Sequence, residues 1–105
     1  MPKTYWVYIL KCSDGSYYTG STSNLEKRIS EHQNGLIKGY TSKRLPIELV
    51  FSEYFDDVYL AISAERQIKG WTRAKKKALI NGDFELLKVL AECNNKTHYK
   101  NFTNE

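Results

Sequence analysis

The chain has 105 residues, which is enough for one domain with a single hydrophobic core. Its 41% hydrophobic and 27% charged residues are typical of a soluble globular protein, and its net charge of +4 gives only a mild preference for polyanions. The longest apolar run, residues 6–10, is too short for a signal peptide or a membrane span. We therefore expect a cytoplasmic protein with no membrane partner.

The two cysteines and two histidines do not form a metal-binding pattern. Cys12 and Cys93 share no ligand-like spacing with each other or with His32 and His98. We expect both thiols to be reduced.

Residues 5–12 are rich in aromatic and β-branched side chains, and residues 13–16 are turn formers that include an Asp-Gly pair. Residues 17–21 form the predicted return strand, in which Gly20 would allow a close approach of other atoms. The sequence thus predicts a β-hairpin in which Tyr8 and Tyr18 face each other across the two strands.

A helix is predicted over residues 24–34. Ser23 and Glu26 have the spacing of a capping box, and Gly35 is a typical helix stop.

The apolar side of this helix carries two functional groups. Leu25, Ile29 and Leu36 mark the apolar stripe, and a rotation of about 100° per residue places His32 within it and Arg28 at its edge. Both side chains should face the sheet, where His32 is either a proton carrier or a hydrogen-bonded core residue.

A loop over residues 36–44 precedes a third strand, residues 47–55. Alternation predicts that its apolar residues share one face of the sheet: Ile47, Leu49, Phe51 and Phe55.

The second helix, residues 58–70, places a carboxylate among apolar side chains. Glu65 lies in the middle of its predicted buried stripe, which contains Val58, Ala61, Ala64, Ile68 and Thr72. A buried carboxylate is costly unless it is ion-paired, hydrogen-bonded or metal-bound. Glu65 is therefore either a structural ion-pair partner or part of a functional site.

The rest of the chain is predicted to contain two more helices and a tail. A basic helix begins at Thr72 and ends near Gly82, and an amphipathic helix covers residues 83–92. The cations Arg73, Lys75, Lys76 and Lys77 form either a solvated face or a phosphate-binding surface.

The fold class is therefore α+β, in the order β-β-α-β-α-α-α around a small three-stranded antiparallel sheet. We expect a single domain over residues 1–93 and a flexible polar tail over residues 94–105.

The unusual inward-facing residues favour phosphodiester chemistry. They are Tyr8, Tyr18, Arg28, His32 and Glu65. A hard cation such as Mg²⁺ can bind through one protein carboxylate, with water and phosphate oxygens at its other positions. A guanidinium group can stabilise a phosphoryl transition state, and a phenol can orient or deprotonate water if nearby cations lower its pKa.

In order and spacing, these residues resemble the GIY-YIG nucleases. The similar elements are Val7-Tyr8, Tyr18-Thr19-Gly20, Leu25-x-x-Arg28-x-x-x-His32 and Glu65. The resemblance covers about residues 4–82 and is closest to small standalone bacterial members, sometimes named UPF0213. It implies a three-stranded antiparallel sheet flanked by helices.

The resemblance also implies roles for single residues. Tyr8 and Tyr18 would position and activate water, Arg28 would contact the scissile phosphate, His32 would assist proton transfer and Glu65 would hold Mg²⁺ or Mn²⁺. Tyr40 lies where some relatives carry another active-site side chain.

The chain also departs from the family pattern. Trp6-Val7-Tyr8 replaces Gly-Ile-Tyr, Thr19 replaces an Ile, and the late Asn of several nucleases has no evident counterpart.

The resemblance predicts a metal-dependent endonuclease acting on DNA, with repair or recombination intermediates as candidate substrates. The alternative is a non-catalytic module that binds nucleic acid or protein on a nuclease-like scaffold. A third possibility is a subunit that cuts only when a protein partner delivers the substrate. A binding module would ignore Mg²⁺ and would tolerate Tyr8→Phe.

Overall fold

The computed structural model describes residues 5–85. Its elements follow the order β1 (Tyr5–Lys11), β2 (Tyr17–Thr22), α1 (Leu25–Gln33), β3 (Glu48–Phe55), α2 (Val58–Lys69) and α3 (Arg73–Ile80). The three strands form one antiparallel sheet in the order β2-β1-β3, which confirms the predicted α+β fold.

The chain divides between Trp71 and Thr72 into two compact units, Met1–Trp71 and Thr72–Glu105. The sheet, α1 and α2 belong to the first unit, and α3 belongs to the second. The single domain proposed for residues 1–93 stays a prediction. Most of the last predicted helix, the tail, Cys93 and His98 lie outside the described residues.

The hairpin register corrects the predicted tyrosine pair. Tyr8 on the central strand lies opposite Gly20, and Tyr18 lies opposite Leu10. Directly opposite residues share a face, and the next residues on that face are two positions away. Tyr8 and Tyr18 are therefore diagonal neighbours, with ring centroids 6.5 Å apart.

A β-bulge divides the predicted apolar face of β3. Ile9 pairs with Phe51, whereas the next residue, Leu10, pairs with Leu49, so Val50 is the additional residue on β3. One extra residue reverses the alternation of side chains. Leu49 and Phe51 consequently lie on opposite faces, and the prediction of one continuous apolar face was wrong.

The two faces of the sheet carry different helices. On the Tyr8 face, Leu25 and Ile29 of α1 pack against a buried cluster that contains Tyr8, Leu10, Cys12 and Ile47. Val7, Ile9 and Ser21 lie on the other face. There α2 lies against β1 and β2, and its Glu65 contacts Ser21.

The ends of α1 differ in detail from the prediction. The N-cap is Asn24, whose side chain accepts a hydrogen bond from the Lys27 amide at 3.2 Å. The predicted cap, Ser23, precedes it. Gly35 adopts φ +71°, as expected for a residue that ends a helix, and Leu36 beyond it is 68% exposed instead of contributing to the apolar stripe.

The later helices begin at side-chain caps. Asp57 accepts a hydrogen bond from the Tyr59 amide at the start of α2, and Thr72 accepts one from the Lys75 amide at the start of α3. Thr72 is therefore an exposed cap, and its predicted place in the buried stripe of α2 was wrong. Among the helices of residues 5–85, none combines the length and apolar character needed to cross a bilayer.

The cap assignment predicts different effects for two adjacent substitutions. Asn24→Ala should lower the free energy of unfolding by about 1 kcal/mol, because it removes the acceptor for a helix-terminal amide. Ser23→Ala should leave the urea midpoint nearly unchanged. Equal losses in the two variants would contradict the assignment.

Candidate active site

The Tyr8 phenol extends over the edge strand at Gly20. Tyr8 lies on the central strand β1, and Gly20 is its partner on the edge strand β2. A Cβ atom built at Gly20 would lie 2.5 Å from the Tyr8 hydroxyl oxygen and 2.7 Å from its Cζ. The missing side chain at position 20 therefore provides the space through which the phenol reaches the edge of the sheet.

Tyr8 belongs to a buried polar chain with His32 and Thr41. The Tyr8 hydroxyl lies 3.0 Å from His32 Nε2, and Thr41 Oγ1 lies 2.8 Å from His32 Nδ1. All three side chains are almost fully buried. Both ring nitrogens of His32 therefore have partners, as a buried imidazole requires.

Burial keeps both Tyr8 and His32 neutral near pH 7. It raises the pKa of Tyr8 to about 12, although the neighbouring Arg28 guanidinium opposes this increase. Burial also lowers the pKa of His32 from 6.5, and the positive charge of Arg28 lowers it further. Desolvation outweighs the effect of Arg28, so Arg28 alone does not meet the condition that a nearby cation lowers the phenol pKa.

These protonation states favour one direction of hydrogen bonding. A neutral Tyr8 hydroxyl can donate to His32 Nε2 while its oxygen accepts from Arg28. His32 Nδ1–H then donates to Thr41 Oγ1. This tautomer is assigned from the pattern of partners, and it leaves Nε2 as the atom that can accept the phenolic proton.

Arg28 lies at the solvent side of this chain. It is partly exposed, acts on Tyr8 as a hydrogen-bond partner and pairs with Glu31 at 3.5 Å between Nε and Oε1. Helix α1 thus presents Arg28 and His32, one turn apart, to the same phenol. This arrangement agrees with the prediction that both residues face the sheet.

Two further aromatic side chains connect the site to the loop after α1. The ring centroids of Tyr18 and His32 lie 5.3 Å apart. The Tyr18 ring also stacks on that of Tyr40, with their centroids 6.1 Å apart and an interplanar angle of 26°. Arg44 Cζ lies 3.9 Å from the centroid of the Tyr40 ring, and Arg44 Nε pairs with Asp14 at 3.0 Å. Tyr40 therefore contacts the site through Tyr18, and a guanidinium group lies over its ring.

Glu65 approaches the same edge from the opposite face of the sheet. Its Oε1 accepts a hydrogen bond from Ser21 Oγ at 2.8 Å, and its Oε2 lies 2.9 Å from Lys69 Nζ. Its charge raises the pKa of Tyr8, and it also raises the pKa of Lys69. The carboxylate is thus electrostatically coupled to the phenol.

The donor set fits a cation that is held mainly by water and substrate. Residues 5–85 contain no group of three His, Cys, Asp or Glu side chains arranged around a metal position. Glu65 is a mostly buried single carboxylate, which is the donor set that Mg²⁺ accepts when phosphate and water supply the other oxygens. A site built only from protein ligands, as for structural zinc, does not fit these residues.

The predicted nucleic-acid-binding cations on α3 are not equally accessible. Arg73 and Lys77 are exposed and Lys76 is partly buried, whereas Lys75 is only 6% exposed. A buried ammonium group is poorly placed to contact phosphate, so Lys75 does not belong to the accessible part of this basic run. The other three residues stay a predicted contact surface.

Four contributors to the site were missed by the sequence analysis: Ser21, Thr41, Arg44 and Lys69. Lys69 had a sequence signal, because it follows Glu65 by four positions on a helix, a spacing that favours ion pairs. Ser21 and Thr41 make contacts over 44 and 9 positions in the chain, and no local pattern marks them.

Comparison with known proteins identifies the family. The family model described as the GIY-YIG catalytic domain matches residues 4–78. The chain belongs to the GIY-YIG family. The matched range contains the hairpin, Arg28, His32 and Glu65, and a nuclease-type function is typical of this domain.

Several relatives of similar length align with most of this chain. A UPF0213 protein of Clostridium perfringens is 51% identical over 76 residues, which cover 72% of this chain and 82% of the relative. One from Staphylococcus saprophyticus is 46% identical over 77 residues, and one from Natronomonas pharaonis is 44% identical over 80. Those two alignments cover 73% and 76% of this chain and 94% of each relative.

Two solved structures support the same GIY-YIG fold. The solution NMR structure of a UPF0213 protein from Bacillus halodurans has a TM-score of 0.51 and 38% identity, covering 74% of this chain and 83% of that one. The solution NMR structure of a protein from E. faecalis has a TM-score of 0.55 and 35% identity, covering 80% and 88%.

The contact between Tyr8 and Gly20 predicts a specific steric effect. Gly20→Ala should lower the free energy of unfolding by about 1–3 kcal/mol, because the buried phenol cannot move without disturbing His32. Gly70→Ala is the matched control, since its added Cβ would meet other atoms only at 3.6 Å or more. A Gly20→Ala protein as stable as the control, in urea denaturation, would contradict this steric argument.

The lowered pKa of His32 predicts a pH dependence of stability. The unfolded chain takes up a proton near pH 6.5, whereas folded His32 resists protonation, so unfolding should become easier as the pH falls below about 6.5. Urea midpoints measured between pH 5 and 8 should show this loss.

The effect can be assigned to His32 by substitution. The dependence of the urea midpoint on pH below 6.5 should be weaker in His32→Gln than in the wild type. An unchanged slope in the His32 variant would assign the titration to other groups.

Proposed function

We propose that this protein is a divalent-metal-dependent endonuclease that hydrolyses DNA phosphodiester bonds. The observation that supports this most directly is the position of the Tyr8 phenol, which contacts His32 and Arg28 and is electrostatically coupled to Glu65. Repair or recombination intermediates are the candidate substrates, and a protein partner is the candidate source of substrate selection.

Arg28 binds the scissile phosphate in this proposal. Its guanidinium group is partly exposed and paired only loosely with Glu31, so a phosphate can replace that carboxylate as its partner. A planar cation beside the reacting phosphorus stabilises the negative charge that develops on the phosphoryl oxygens. As Arg28 turns toward the phosphate, the oxygen of the buried Tyr8 becomes accessible to a water molecule.

Tyr8 then orients the attacking water, and His32 receives a proton. The phenol passes its own proton to His32 Nε2 at 3.0 Å and takes one from the water, so that no free phenolate has to form in the buried site. Thr41 holds the imidazole in the orientation that this transfer needs. Tyr18, in contact with both rings, keeps them in place and provides a second phenol for the substrate side.

Glu65 holds the divalent cation, Mg²⁺ or Mn²⁺. When bound, such an ion would neutralise charge on the phosphate and the leaving oxygen. Ser21 holds one carboxylate oxygen through a hydrogen bond, which leaves the other available to a cation. Arg73, Lys76 and Lys77 are proposed to contact phosphates of the nucleic acid, and Tyr40 to line the approach beside Tyr18.

The proposal predicts loss of DNA cleavage in two variants. Tyr8→Phe and Glu65→Gln should each reduce Mg²⁺-dependent nicking of supercoiled, branched and single-stranded DNA by about 100-fold or more, since each removes a reacting or charge-stabilising group. Tyr59→Phe is the matched control, because Tyr59 is an exposed tyrosine on α2. Circular dichroism should show folded protein in all three cases.

The alternative functions give different results in the same assay. DNA binding that weakens steeply with salt, with no nicking at any metal concentration, would favour a binding module. Nicking that depends on metal but not on Tyr8 would exclude the proposed proton relay. Nicking that appears only when a second protein is added would indicate a partner-dependent nuclease.

A further inference from the structure

Both oxygens of the Glu65 carboxylate are engaged, but by very different groups. Oε1 accepts from the Ser21 hydroxyl of β2, a neutral donor held by the sheet. Oε2 is paired with the Lys69 ammonium group, one helical turn further along α2. The contact of Oε1 with Ser21 is therefore held by the sheet, whereas the contact of Oε2 with Lys69 can be exchanged for another partner.

The exposure of the pair shows which partner can leave. The Glu65 side chain is 16% exposed, whereas that of Lys69 is 52% exposed and has a long flexible stem. A lysine of this kind can move its ammonium group into solvent at a small cost in free energy, while Ser21 holds the carboxylate in place.

The ammonium group already uses an oxygen that a cation bound to Glu65 would need. Lys69 Nζ lies 2.9 Å from Oε2, and a hard divalent cation binds carboxylate oxygen at about 2.0–2.6 Å. A cation bound to Oε2 would therefore lie close to the ammonium group and compete with it for this oxygen. Their positive charges also repel each other in a partly desolvated position.

We propose that Lys69 occupies the cation position of Glu65 in the metal-free protein and competes with divalent cations for it. This inference rests on the metal site of the proposed function and adds the residue that sets its affinity. Lys69 is thus a positioning residue. Its ammonium group forms an ion pair with the Glu65 carboxylate in the absence of metal and has to move away for metal to bind. The ligand class is a divalent oxygen-seeking cation, and nucleic acid is not needed for the exchange.

Metal titration of the full chain without nucleic acid tests the competition. Isothermal titration with Mn²⁺ should show at least about tenfold tighter binding to Lys69→Met than to the wild type. In the wild type, part of the binding free energy is used to displace the Lys69 ammonium group from Glu65, and the variant does not have this cost. Lys69→Gln should behave in the same way. Arg66→Met is the matched control, because it removes one exposed charge from the same helix, and its affinity should stay within about twofold.

The outcomes distinguish the two proposals. A Lys69→Met protein that binds Mn²⁺ no better than the wild type, or not at all, would overturn the competition. A Glu65→Gln protein that still binds Mn²⁺ like the wild type would instead overturn the Glu65 metal site and with it this part of the proposed function. Mn²⁺-induced broadening of the Ser21 and Glu65 amide signals, stronger in Lys69→Met, provides a second measurement that does not depend on activity.

Discussion

The site depends on the absence of a side chain at position 20, because that gap allows a phenol on the central strand to cross the edge strand. Tyr8 is otherwise an ordinary inward-facing residue of β1, enclosed by the sheet and α1. With Gly20 opposite, its hydroxyl passes over β2, and the charge of Glu65, which approaches from the other face, reaches it. Side chains from both faces of the sheet thereby contribute to the site at one edge.

Desolvation and the charge of Arg28 have opposite effects on the pKa of Tyr8 but the same effect on the pKa of His32. Burial favours the neutral forms of Tyr8 and His32, and the Arg28 guanidinium favours a neutral imidazole but an ionised phenol. The balance leaves two neutral groups joined by one hydrogen bond. Transfer of the proton from Tyr8 to His32 alone would create a buried phenolate beside an imidazolium, so the proposed transfer has to be coupled to uptake of a proton from water. On the other face, the ammonium group of Lys69 balances Glu65.

The packing of the loop after α1 supports the same geometry. Thr41 contacts His32, and Tyr40 contacts both Tyr18 and Arg44. Arg44 is in turn paired with Asp14 in the hairpin turn. A segment that lacks regular strand or helix structure thus determines the orientation of the imidazole. Loops of this kind carry functional groups because a rigid sheet and helix hold their ends.

Local patterns in the sequence predicted the strands and the helices, and periodicity placed His32 and Glu65 on inward faces. Aromatic residues and turn formers marked the hairpin, the residue types suggested phosphodiester chemistry, and the resemblance to GIY-YIG nucleases supplied the roles of single residues. Only the tertiary structure decided the bulge at Val50, the pairing of Tyr8 with Gly20, the contacts of Thr41 and Ser21, and the burial of Lys75. These features arise between elements distant in the chain, where packing selects one register and one partner among several that local propensity allows equally.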